Sequence, residues 1–133
     1  MSLRRRSACA MAACAIVLAW FPCGATALSA TARAEIDALL AKLEHSGCRF
    51  NRNGSWYGAP EARAHLQKKL DYAIEHDLLH SPEQFIAEAA SRSSMSGEEY
   101  LVHCPGGQPQ PSAKWLHARL EEIRQQGAKK QAP

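Results

Sequence analysis

The chain has 133 residues, with 16 basic and 13 acidic side chains and a formal charge of +3. Hydrophobic residues make up 46%, charged residues 22% and aromatic residues 7%. That mix fits one globular domain and excludes a disordered, collagenous or coiled-coil chain.

The N-terminus carries the three parts of a secretory signal peptide. Arg4, Arg5 and Arg6 supply the positive region, Ala8 to Phe21 run apolar without a charge, and Ala25-Thr26-Ala27 offers the small residues a signal peptidase reads. The apolar run falls short of the roughly 20 residues a membrane-spanning helix needs. Cys23 follows Trp20-Phe21-Pro22, which is not the small or aliphatic surround of a lipid-modified cysteine. The expected organisation is therefore a signal peptide over 1–27, one domain over 28–126 and a polar, disordered tail over 127–133. Cleavage after Ala27 removes three basic residues and leaves 13 basic against 13 acidic, a near-neutral domain. It also removes Cys9, Cys14 and Cys23. Cys48 and Cys104 remain, and two cysteines in an exported protein read as one disulfide. That bridge closes a loop of about 57 residues and is worth about 4 kcal/mol on the chain-entropy model.

A first helix is expected from about Ala30 to His45, with Ile36, Leu39, Leu40 and Leu43 as its apolar stripe and Glu35 and Asp37 near its positive end. Gly47 sits where a left-handed C-cap is wanted. Two short strands follow, Cys48 to Arg52 and Ser55 to Tyr57, joined by Asn53-Gly54, the strongest short hairpin signal. Pro60 opens a second helix running to about Asp77, with Ala62, Leu66, Leu70, Ala73 and Ile74 inward. Ser81 and Gln84 form a capping box for a third helix with Phe85, Ile86 and Ala89 in the core, fraying over Ser91–Ser96. Glu99 to Cys104 reads as a third strand, with Tyr100 and Val102 on one face. A loop over Pro105 to Pro111 leads to a last helix capped by Ser112, with Leu116, Leu120 and Ile123 inward. If strands one and three pair antiparallel, Cys48 and Cys104 meet. The expected fold is α+β, four helices on a small three-stranded antiparallel sheet.

Several constellations bear on chemistry. His76 and His80 are four apart, the spacing of a helical zinc-protease motif, with His103 as a third ligand in principle. Asp77 stands where that motif carries glutamate, and Ser81-Pro82 ends the helix at His80. His65, Lys69, Tyr72 and His76 form a stripe on the second helix, read either as a solvated face or as the wall of a ligand groove. His65 and His76 lie about 16 Å apart along the axis, too far to share a metal. Ser91 to Gly97 reads as a turn segment or a ligand loop. A nucleophile such as Ser94 lacks the G-x-S-x-G elbow and the S-x-x-K pattern. Trp56, Tyr57, Tyr100 and Trp115 serve either a core or a stacking surface. No phosphate-binding glycine loop, dinucleotide fingerprint or zinc-finger cysteine pair is present, and a near-neutral domain lacks the basic footprint of a nucleic-acid binder.

The succession Ser46-Gly47-Cys48-Arg49-Phe50, Arg52-Asn53-Gly54, Glu61-Ala62, His65-Leu66, Phe85-Ile86, Ser93-Ser94-Met95-Ser96-Gly97, Tyr100, Cys104-Pro105 and Trp115-Leu116 resembles the YfeK-like family of small exported bacterial proteins. The likeness covers about 34–124 and implies a periplasmic setting, a single domain and no transferable activity.

The expectation is a periplasmic or secreted non-enzymatic module, monomeric, without cofactor, metal, nucleic acid or membrane span, binding an envelope ligand or protein. Its candidate surface is Arg52, Asn53, His65, Lys69, Ser93, Ser94, Ser96 and Tyr100. The alternatives are a small envelope hydrolase, working through His76 and His80 or through Ser94, and a structural or stress-related envelope protein.

Overall fold

The computed structural model describes residues 27–133. The signal-peptide segment expected over 1–27 lies almost wholly outside the described residues.

Helix α1 spans Ala30–Glu44. Ser29 caps it, its hydroxyl accepting from the Ala32 amide at 3.1 Å. Ile36, Leu39, Leu40 and Leu43 are fully buried, as their helical spacing requires. Glu35 and Asp37 lie beyond the first turn rather than at the dipole end, and each pairs with an arginine instead, Arg124 and Arg33 respectively.

The chain then turns through Gly47, at φ +68°, into strands β1 (Arg49–Arg52) and β2 (Ser55–Gly58). Asn53 and Gly54 both have positive φ, +50° and +81°, which gives the tight turn that pairs Arg52 with Ser55. Helix α2 spans Ala59–Glu75 and buries Leu66, Leu70 and Ala73. It ends two residues before the expected Asp77, because His76 caps it and Asp77 adopts φ +54°. Ser81 caps α3 (Pro82–Gln84), accepting from the Gln84 amide at 3.1 Å. The Gln84 side chain in turn accepts from the His80 amide at 2.9 Å, one residue ahead of the cap itself. The helix widens to a π turn over Phe85–Ala90, keeping Phe85, Ile86, Ala89 and Ala90 all inward. The Ser91 hydroxyl donates to the Ile86 carbonyl five residues back, matching that wider pitch.

Strand β3 covers Leu101–His103, shorter than the expected Glu99–Cys104. Tyr100 falls outside the ladder because its backbone serves other partners: its amide donates to the Ser91 carbonyl and its carbonyl accepts from the Ser112 amide, each at 2.8 Å. A fourth strand, β4 (Gln110–Pro111), corrects the expected count of three. The sheet is antiparallel with order β2-β1-β3-β4, and Arg49 lies opposite His103. Cys48 and Cys104, just outside that pair, form the disulfide, with Cα atoms 4.1 Å apart.

Helix α4 spans Ser112–Gln131. Pro111, not Ser112, occupies the cap position, and Ser112 is buried as the first helical residue. The helix also continues through Gly127, where the polar sequence suggested a disordered tail. A single glycine costs a helix only about 1 kcal/mol, and good helix formers flank it. One core unites the inner face of the sheet, through Phe50 and Val102, with α1, α2, α4 and the π turn. Among the described residues no helix is long and apolar enough to cross a membrane.

Candidate functional site

The pairing that aligns Phe50 with Val102 puts Phe50, Arg52 and Tyr57 on the helix-facing side of the sheet. Helix α2 presents Glu61, His65 and Lys68 to the same space, at the i, i+4, i+7 spacing of one helical face. Between them lies a cavity of about 310 Å³, lined by these residues with Ala62, Leu66 and Tyr100. That is the lower end of the range for small-molecule sites.

A hydrogen-bonded chain crosses this cavity. The Arg52 guanidinium donates to His65 Nδ1 at 2.5 Å, and His65 Nε2 lies 3.1 Å from the Tyr100 hydroxyl. A guanidinium only donates, so Nδ1 must be the bare acceptor. His65 is therefore neutral with its proton on Nε2, donating to Tyr100. Burial lowers the His65 pKa, and the charges of Arg52, Lys69 and Lys68 lower it further. Burial raises the pKa of Tyr100, which stays a phenol. Arg52 also lies over the Tyr57 ring, 4.8 Å from its centre.

Lys69 lies 5.2 Å from the centre of the Tyr100 ring and donates to the Arg92 carbonyl at 3.0 Å. Burial and the neighbouring Arg52 lower its pKa. The hairpin tip reaches the serine loop: Ser96 donates to Asn53 Oδ1 at 2.6 Å, and the Asn53 amide lies 3.5 Å from Ser93 Oγ. Ser93 is buried and accepts from the amides of Met95 and Ser96, so this segment is a closed turn rather than a frayed helix end.

Of the eight residues of the candidate surface, Arg52, His65 and Tyr100 line the cavity, Asn53, Ser93 and Ser96 meet in the turn at the hairpin tip, and Lys69 and Ser94 lie elsewhere. Lys69 and the exposed Ser94 border a second hollow of about 380 Å³ with Tyr72 and Leu78. His65 and Lys68 border both spaces. Although His65 borders the Ser94 hollow, both its ring nitrogens are engaged, so neither takes a proton from a serine. Nor do His76 and His80 share a helical turn. His76 caps α2, stacks on Tyr72 with ring centres 4.1 Å apart and donates from Nδ1 to the Tyr72 carbonyl at 2.8 Å. His103 is on the opposite face of the sheet beside Trp56, 3.0 Å from the Gly107 carbonyl. Phe50 and Trp115 meet edge to face in the core.

Tyr57, Glu61 and Lys68 were missed as site residues. The signal for two of them was present. Glu61 extends the His65 stripe one turn back, and Tyr57 lies opposite Phe50 once the hairpin register is set. Lys68 carries no such mark, being off the four-residue repeat.

Neither the curated proteins nor the solved structures contain a match to this chain. The model of a family of unknown function, DUF5329, matches residues 30–124, from the first residue of α1 to Arg124 in α4, so the sheet, the disulfide, the cavity and every helix but the end of α4 fall within it. On that span the chain belongs to the DUF5329 family of unknown function.

Proposed function

We propose that this chain is an exported bacterial envelope module that binds a small ligand in the cavity between the β1–β2 hairpin, α2 and Tyr100. The observation that carries the reading is the Arg52–His65–Tyr100 chain, in which charged and polar groups line a space that core packing would otherwise fill. Export is supported by the signal-peptide pattern before Ala27, by a disulfide suited to an oxidising compartment and by the resemblance to the YfeK-like family.

The test is a stability series on the cavity-lining Arg52→Ala, His65→Ala, Lys68→Ala and the triple variant. Residues kept for binding cost little when removed, so the triple change is expected to lose about 2 kcal/mol or less, the worth of the lost hydrogen bonds. A loss of more than about 4 kcal/mol would mark the group as structural and end the reading.

A further inference from the structure

We infer that the cavity takes a small amphiphilic monoanion, one carboxylate on an apolar body, with the carboxylate against Arg52 and Lys68. The inference rests on the binding-module reading and adds the chemical class of the ligand.

Charge sets the anion. With His65 neutral, the cavity is lined by two positive charges, Arg52 and Lys68, and one negative charge, Glu61. One positive charge remains, and a monoanion balances it. Among the described residues neither Arg52 nor Lys68 takes part in an ion pair. Lys69 is committed to the Arg92 carbonyl, so it is not a ready second cation for a dianion. Arg52 spends one N–H on His65 and keeps a planar fork of further donors, the geometry that fits a carboxylate. Its orientation is fixed in advance by His65 on one side and the Tyr57 ring on the other. Little rotamer freedom is then lost on binding.

The walls set the body. Tyr57, Ala62 and Leu66 give an apolar lining, and the Tyr100 ring adds an aromatic surface with its hydroxyl at the polar floor. A bare inorganic anion would leave this apolar lining uncovered. A ligand with an apolar body covers it and gains from the area removed from water.

The experiment titrates the full chain, disulfide intact, with 4-phenylbutyrate, with its uncharged amide 4-phenylbutyramide, and with inorganic phosphate. Calorimetry gives affinity, and the His65 ring resonances report whether the probe enters this cavity. The expected result is saturable binding of phenylbutyrate that moves the His65 resonances, with the amide and phosphate each weaker by about tenfold or more. Arg52→Gln and Lys68→Gln should each weaken phenylbutyrate by about tenfold. Lys68 is exposed, so its variant keeps the test decisive even if Arg52→Gln fails to fold. Equal binding of the amide overturns the anion and leaves the binding module standing. Equal binding of phosphate overturns the apolar body. Failure of all three probes overturns the inference as a whole, while the alanine series above decides the binding-module reading separately.

Discussion

Burial lowers the pKa of His65 below the ordinary imidazole value of 6.5, and three neighbouring cations push the same way. The folded state therefore resists a proton that the unfolded chain accepts. The stability this contributes is fully present above pH 6.5 and shrinks as the pH falls from there toward the folded-state value. Denaturant midpoints of the wild type should fall as the pH drops through this window. His65→Gln offers an oxygen to Arg52 and an N–H to Tyr100 without titrating, so its midpoint should fall less. Equal falls in both proteins would place the sensitivity elsewhere. Arg124 makes a different kind of contact. It grips Glu35 on α1 through two bonds of 3.0 and 2.9 Å and Glu83 on α3 through a third. The hydrogen bonds it donates to Glu35 and Glu83 raise its pKa, and its bond to Glu83 lowers that of the carboxyl. A two-carboxylate network outweighs a lone surface pair, so Arg124→Ala should lose about 1–2 kcal/mol by chemical denaturation. A loss within about 0.3 kcal/mol of zero would reduce it to an ordinary exposed pair.

Among the elements, those with a local chemical signature were legible in the sequence. Asn53-Gly54 specified the hairpin, the leucines of α1 its buried face and Ser81 the start of α3. What escaped depends on tertiary partners. Strand β4 is two residues long and contains a proline, and it exists only because β3 lies beside it. The π turn at Phe85–Ala90 differs from an α-helix in its wider i→i+5 backbone bonding, which the short apolar pattern does not show. Within the site, the hairpin and the His65 stripe were visible separately. Their meeting through Arg52 required the sheet to be placed on α2. The C-terminal end of α4 can be tested directly. A methyl group at Gly127 would point into open space within the helix, so Gly127→Ala should add helical signal and stabilise by about 0.5–1 kcal/mol. No change in circular dichroism would mean that the helix ends before Gly127. Gly54 is the converse case: at φ +81° an alanine is strained, and Gly54→Ala should cost about 1–2 kcal/mol.

For the whole molecule, the Cys48–Cys104 bridge ties the end of α1 to the exit of β3 across 56 positions of chain. Of the two strands that it clamps, β1 carries Arg52 of the cavity and β3 follows directly on Tyr100. Reduction should add about 2 Da to the intact mass, the two hydrogens restored to the thiols. It should also lower stability by about 4 kcal/mol. An unchanged mass would remove the clamp from the account. With the frame closed in this way, the function turns on whether Arg52, His65 and Tyr100 form one oriented chain across the cavity. Side-chain ¹⁵N spectra of His65 at neutral pH test this most directly. A neutral ring with its proton on Nε2 and a titration midpoint below 6.5 is the expected result. A proton on Nδ1 would contradict it, because that nitrogen then cannot accept from Arg52, and a midpoint at or above 6.5 would contradict the burial beside three cations on which the neutral ring depends.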